Sequence, residues 1–475
     1  MPEPIRILLL GAGNRGATAY GAYALQHPDE VQFTAVAEPN PVRRRKFSAD
    51  HCIPEERQFT GWREALKAGK LADAAINATQ DALHHDSTLA ALAAGYDILL
   101  EKPIAPTLEE TTNIIRAAEA SGRTLQICHV LRFTDFFQTM HEILHSGSLG
   151  QIITLSHREN VSYFHMAHSF VRGNWRNTAE SAPMILAKCC HDLDLLYWFL
   201  GEKALWLSST GGLRHFRAEN APAGAPMRCT DGCPAADACP YYAPRIYRDI
   251  LPIKQAVRNT RNRLYQAVGA LTMEAPRLAA TLGRLIPPIR TLTEYSGWPR
   301  NTITDAPEQD AAVMDALHNG PYGRCVYHCD NDVVDHQVVS LTFKSGISAT
   351  LTMHGHSHEE GRTLRVDGSR GTLLGKFSFS RTWIEVHTHG GGVTRLDFPA
   401  GVESASGHGG GDSGLMRQFL TSLRGEEAPL TTARDSLESH LMAFAAEEAR
   451  LAHQTVDLRA FRARAGLPEP QIDEP

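Results

Sequence analysis

The chain has 475 residues, of which 43% are hydrophobic and 21% charged, with a formal net charge of −6. These values exclude a disordered or fibrous chain, and they lack the strong positive excess that a nucleic-acid partner calls for. One hydrophobic core does not serve a chain of this length, so two domains plus an insertion are expected.

The first apolar run, Ile5 to Leu10, leads straight into glycines and reads as a strand, not a signal peptide. No run approaches the roughly 20 apolar residues of a transmembrane segment. The chain is therefore expected in the cytoplasm. Its nine cysteines, an odd number, argue for reduced thiols over a disulfide framework.

Residues 1–128 alternate short apolar runs with helical periodicity. Strands are predicted at Ile5 to Leu10, Phe33 to Ala37, Ala74 to Ala78, Asp97 to Leu100 and Thr124 to Cys128. This is an α/β pattern, a parallel sheet with helices on both faces, and so a Rossmann domain. Residues 129–475 read as an α+β domain. A helix over Phe136 to Leu144 precedes a strand at Ile152 to His157, and further strands are predicted at Val338 to Phe343, Ile347 to Met353, Thr363 to Asp367 and Trp383 to His387. Turns such as Lys344-Ser345-Gly346 make this sheet mostly antiparallel. Helical periodicity returns from Gly414 to His453, and Pro468 to Pro475 reads as a frayed tail. Between about 206 and 320 neither pattern holds, and this stretch is read as an insertion in the second domain.

The first strand is followed by Gly11-Ala12-Gly13-Asn14-Arg15-Gly16, which opens a helix. The glycines allow a tight turn, close approach of backbone to a pyrophosphate, and close helix packing, while the helix start offers N–H groups to phosphate. Glu38 ends the second strand, where a carboxylate hydrogen-bonds ribose hydroxyls and repels a 2′-phosphate. NAD is thus the expected cofactor. Arg43, Arg44 and Arg45 leave NADP open, since one of them could fold onto that phosphate; their other reading is a solvated helix turn.

Two further motifs end the fourth and fifth strands: Thr79 through His84, and Glu101-Lys102-Pro103. Ligands bind an open α/β sheet at these carboxyl ends. A lysine ammonium there can hold and polarise a substrate hydroxyl, or exchange a proton if desolvation lowers its pKa. Its alternative is a surface lysine at a helix start.

The T-x-x-x-x-H loop and the E-K-P tripeptide, at this spacing, resemble the Gfo/Idh/MocA oxidoreductases. The resemblance covers residues 5–205 well and 330–450 as a general pattern. It implies an NAD(P)-dependent enzyme acting on a sugar, cyclitol or related polyol, with Gly11, Gly13, Asn14, Arg15, Gly16, Glu38, Arg43, Thr79, His84, Glu101 and Lys102 at the cofactor. The segment Leu186 to Asp194 resembles the family's second-domain catalytic helix, which makes His191 the general acid/base beside Lys102. Many relatives carry an aspartate four residues before that histidine, where this chain has Ala187. Lys188 shares nearly the same helix face as His191 and is a third catalytic, substrate-contacting candidate; otherwise it is a solvated charge and His191 a core histidine. Arg132, Trp175 and Arg176 match positions that reach the cofactor in relatives, and His165, His168 and Arg172 lie on a polar loop suited to sugar hydroxyls.

Cys229, Cys233 and Cys239 form a C-x3-C-x5-C pattern, with Cys325 and Cys329 further on. Four of them, with Cys325 as the fourth, suit a structural zinc site, an iron–sulfur cluster being the other metal reading and buried inert thiols the bland one. Residues 245–290 hold nine basic side chains against Asp249 and Glu274. They read as amphipathic helices for packing or subunit contact, then as a lid bringing arginines over an anionic substrate, then as a membrane-surface helix. His354, His356 and His358 share one strand face, an interface or site wall with metal binding as a minority reading. The expected partners are a small carbohydrate and further copies of the chain. Two rival functions are an NAD-dependent glycoside hydrolase working through transient oxidation and elimination, and a non-catalytic nucleotide sensor.

Overall fold

The computed structural model describes residues 3–399 and 407–467, so the tail read at 468–475 lies outside the described residues. The first apolar runs become β1 (Ile5–Leu10), β2 (Val31–Ala37), β3 (Gln58–Phe59), β4 (Ala74–Asn77), β5 (Asp97–Leu100) and β6 (Leu125–Ile127). All pair in parallel, in the order β3-β2-β1-β4-β5-β6. That order places the topological switch point between β1 and β4, where ligands bind beyond the strand ends. Residues 7–10, 74–76 and 98–100 are fully buried, as strands covered on both faces must be. The two-residue β3 is too short to carry a period and was not predicted.

The second sheet comprises β7 (Ile152–Ser162), β8 (Ala204–Gly212), β9 (His336–Phe343), β10 (Ser348–Ser357), β11 (Gly361–Gly368), β12 (Gly371–Ser378), β13 (Thr382–Thr388), β14 (Val393–Phe398) and β15 (Val456–Asp457). Its order is β14-β13-β12-β11-β7-β10-β9-β8-β15, and every neighbouring pair is antiparallel except β7 with β10. Helices Asp135–His145, Cys190–Leu200 and Ala433–Ala452 lie against it. The alternating burial of β9 follows from having one face on that helical layer.

Since β8 belongs to this sheet, the insertion expected from about 206 opens only after Gly212. Its helices Leu251–Arg258, Arg263–Glu274, Pro276–Gly283 and Pro287–Thr293 enclose a small core of Ile250, Val257, Val268, Ala279, Ile289 and Leu292. The amphipathic periodicity is satisfied only in part within the insertion, since Leu264, Leu278, Leu285 and Ile286 stay exposed. The chain end returns to the first domain, where the Ile127 amide donates to the Thr431 carbonyl at 2.8 Å beside β6. Among the described residues no helix is long and apolar enough to cross a membrane.

Candidate active site

The site starts from a backbone necessity. Gly11 has φ +91°, in the left-handed region, and a Cβ there would strike the Ala78 carbonyl, so the turns after β1 and β4 touch. Nothing lies within 4 Å of a Cβ built on Gly13, which faces open space. The helix Asn14–Gly21 begins there with no side-chain cap, so its first-turn N–H groups have no helical partner.

These turns open into a cleft of about 2270 Å³. That exceeds the ~300–1,000 Å³ typical of a small-molecule site, and so has room for more than one small ligand. Gly13, Asn14, Arg15, Arg43, Thr79, Glu101, Lys102, His165, Trp175, Lys188 and His191 all line it. Residues predicted from two domains thus converge on one space.

At its centre Lys102 Nζ donates to the Ala187 carbonyl at 2.9 Å, reaching from the end of β5 to the turn before the helix Cys190–Leu200. The backbone at Ala187 gives this ammonium an anchor although the side chain has no carboxylate. His191, the second residue of that helix, is 6% exposed, and its Nδ1 is buried without a hydrogen-bond partner among the described residues. Burial, and then the charges of Lys102, His129, Arg362 and His408, hold its pKa well below the ordinary histidine value. The ring is therefore neutral at neutral pH.

Lys188 belongs to a buried charge network. Its Nζ lies 2.9 Å from Glu360 Oε1 and 3.3 Å from Glu159 Oε1. Burial works against its charge, but Glu360 and Glu159 outweigh it and raise the lysine pKa. His165 Nδ1 meets the same Glu360 at 3.0 Å. Burial opposes the Glu360 charge too, yet His165 and Lys188 keep that carboxyl well below its usual range. Glu159 is pushed up to about 7 by burial, against the pull of Arg362 and Lys188. Behind it Arg362 pairs with Glu159 at 2.9 Å and Asp192 at 2.7 Å, and His157 Nε2 donates to Asp192 at 2.7 Å. Asp192 follows His191 directly, so this network fixes the start of its helix.

A second network joins the glycine turn to the far end of the chain. Arg15 Nε donates to Glu101 Oε1 at 2.5 Å, and Arg15 Nη2 meets Asp412 Oδ1 at 2.7 Å. Tyr20 donates to the same Glu101 oxygen at 2.5 Å. Burial raises the Glu101 pKa, but Arg15 and Tyr20 more than offset it, and the carboxylate keeps its charge.

Comparison with known proteins identifies this arrangement. Residues 5–129 match the model of the Gfo/Idh/MocA oxidoreductase family, NAD-binding Rossmann fold. Residues 5–129 therefore carry the NAD-binding Rossmann domain of this family. The chain is 28% identical over 229 residues to inositol 2-dehydrogenase 4 of Saccharopolyspora erythraea, covering 46% of this chain and 60% of the relative. It is 26% identical over 149 residues to the 2,7-anhydro-N-acetylneuraminate hydratase of Escherichia coli, covering 31% of this chain and 39% of the relative. These matches span three fifths or less of the curated relatives' length. An oxidoreductase from Agrobacterium radiobacter, solved with NAD+, L-tartaric acid and magnesium, shares the fold at TM-score 0.61 and 14% identity, over 96% of this chain and 99% of that one.

Several of the residues predicted for the site stand elsewhere. Glu38 accepts hydrogen bonds from the Ala12 amide at 2.8 Å and the Asn40 amide at 2.9 Å and is 5% exposed, so its carboxylate braces the glycine turn and does not line the cleft. His84 is fully buried between the Pro103 carbonyl at 2.8 Å and the Thr79 carbonyl at 3.1 Å; it ties the two motif loops together and does not reach the cleft. Arg132 is buried in a two-pronged pair with Asp194 at 2.6 and 2.7 Å. Arg176 pairs with Asp330 at 2.9 Å, away from the cleft, while its neighbour Trp175 lines the cleft and donates to Asp81 at 2.8 Å. Arg172 is fully buried on the Arg324 and Tyr241 carbonyls, both at 2.7 Å, so it is a strut and not a sugar ligand.

The metal expectation is corrected as well. Cys229, Cys233, Cys239 and Cys325 line one cavity of about 10 Å³, but among the described residues no three His, Cys, Asp or Glu side chains are arranged to hold an ion. Arg172 Nη2 lies 3.5 Å from the Cys229 sulfur, and a buried guanidinium beside the thiols opposes a second cation. Burial also pushes the thiols of Cys239, Cys325 and Cys329 up, keeping them protonated rather than thiolate ligands. His354 and His356 are likewise engaged by Asn160 and Asp335. Of the nine basic residues at 245–290, only Arg258 reaches the cleft wall, so the insertion borders the cleft without bringing a cluster of arginines over it.

Sequence reasoning missed Glu159, Glu360 and Asp412. Asp412 lies 397 residues from Arg15 in a glycine-rich stretch, where no local period marks it.

Proposed function

We propose that the chain is an NAD-dependent oxidoreductase that oxidises or forms a secondary hydroxyl of a sugar, cyclitol or related polyol. The observation that carries this reading is the meeting of Lys102 and His191, from different domains, in the cleft that the glycine turn opens. The residues present fit a dinucleotide: an open face at Gly13, unpartnered helix-start N–H groups, and a cleft large enough for two ligands. When bound, the nicotinamide supplies the hydride acceptor. Lys102, with one hydrogen given to Ala187, retains two for the substrate oxygen and polarises it. His191 takes the hydroxyl proton and returns it in the reverse direction. Lys188, His165 and Glu360 present a cation and acceptors to neighbouring hydroxyls. Incubation with NAD and a panel of inositols and hexoses, followed by NADH absorbance, tests the reading; no NADH with any polyol, and no NAD formed from NADH with the matching ketones, contradicts it.

A second reading is a redox-neutral reaction on a glycosidic or anhydro bond. The similarity to a 2,7-anhydro-N-acetylneuraminate hydratase favours it. Bond cleavage without net NADH in the same incubation selects this reading over the first. We further read the chain as a homo-oligomer, because Ile153, Trp206 and Val338 are exposed on the second sheet. Sedimentation of a monomer at micromolar concentration contradicts that part.

A further inference from the structure

The insertion crosses the dinucleotide groove toward its ribose end. Asn301 Nδ2 lies 3.4 Å from Asn14 Oδ1, beside the glycine turn. Four residues on, Asp305 accepts from Asn40 Nδ2 at 2.8 Å and pairs with Arg43 Nε at 3.0 Å. Asn40 caps the helix Pro41–Asp50 that follows β2, the corner where a Rossmann domain tells a free ribose from a 2′-phosphorylated one. Arg43 and Asp305 both line the cleft, whereas Glu38 is enclosed by its own turn.

Of the other cations at this corner, Arg45 does not line the cleft and two are engaged. Arg44 Nη1 donates to the Glu38 carbonyl at 2.6 Å, and Lys46 pairs with Asp50 at 2.9 Å. The Arg43–Asp305 pair has side chains 39% and 33% exposed, and pairs this exposed add little to stability. Its consequence is to be sought in binding.

Resting on the dinucleotide reading above, we infer that Asp305 of the insertion, and not Glu38, sets a preference for NAD over NADP. Its carboxylate puts a negative charge at the ribose corner and occupies Arg43. A 2′-phosphate arriving there meets a like charge and an Arg43 guanidinium already paired, whereas a ribose hydroxyl meets an acceptor. Sequence alone places the selecting carboxylate at the end of β2; the fold moves it to a residue 267 positions later, from 38 to 305.

Calorimetric titration of the full-length protein with NAD and with NADP tests this. The wild type binds NAD the more tightly. Asp305→Ala tightens NADP binding about tenfold and leaves NAD within about threefold, and adding Arg43→Ala to Asp305→Ala removes the NADP gain. If Asp305→Ala leaves the NADP affinity unchanged, or shifts both nucleotides equally, the inference is overturned while the dinucleotide reading stands. If the wild type binds neither nucleotide, the reading beneath it fails.

Discussion

The ammonium of Lys102 and the carbonyl of Ala187 are joined by a 2.9 Å hydrogen bond that spans the two domains. Lys102 closes a strand of the parallel sheet, and Ala187 precedes the helix that carries His191. The contact fixes the distance between the two sides of the cleft at the point where the proposed chemistry takes place.

Lys188 is held charged by Glu360 and Glu159, so it acts as a positioned cation, not a proton carrier. Lys188→Met is expected to raise the KM for the polyol about tenfold or more with a smaller effect on kcat, since it removes binding shared by ground and transition states. Steady-state kinetics checks the split.

Asp412→Ala removes one of the two carboxylates that hold Arg15. The partly buried guanidinium then keeps Glu101 but loses its second carboxylate, which is expected to cost about 1–3 kcal/mol in chemical denaturation. NAD affinity falls with it, because Arg15 adjoins the glycine turn; calorimetry reads this second effect.

Arg132 is a buried partner of Asp194 and not a cofactor ligand. Arg132→Ala leaves a buried carboxylate uncompensated and is expected to destabilise by about 3–5 kcal/mol. Urea melts measure this, and nucleotide affinity of the folded fraction stays near wild type.

Stability should fall as pH drops from 7 to 5. His129, His168, His191 and His440 are buried with folded pKa values below the unfolded one, that of His440 near 3, chiefly through burial. The unfolded chain therefore binds more protons below about 6.5, and each such histidine removes up to about 2 kcal/mol over that range. Glu159, raised to about 7, works in the opposite direction as it gains a proton in the folded state, by a similar amount for one group. A melting temperature that stays level or rises toward pH 5 contradicts this balance.

The Rossmann half was legible because its strands are buried on both faces and carry continuous apolar runs, as Ile5–Leu10 and Asp97–Leu100 do. In the second sheet β8, β12 and β14 passed unseen. β12 has glycines at 371 and 375, and β14 is exposed along most of its length, so neither gives a clean alternation. Lys102, Lys188 and His191 were legible from motifs next to strand and helix ends. The carboxylates around the site were not: Glu360 meets Lys188, and Asp412 meets Arg15, only through tertiary folding. Arg132 and Arg172 misled because a polar residue near a motif suggests a ligand, and only burial reveals a strut. The cysteine spacing failed for a related reason, since it carries no sign of the guanidinium beside the thiols.

In the proposed reaction Lys102 and His191 act together on a polyol beside a bound dinucleotide. The direct measurement is NAD binding and single-turnover NADH formation for the wild type, Lys102→Met and His191→Asn with the best substrate of the polyol panel. NAD is expected to bind within about threefold in all three proteins, with turnover at least about 100-fold slower in each variant. Turnover in either variant at the wild-type rate contradicts it.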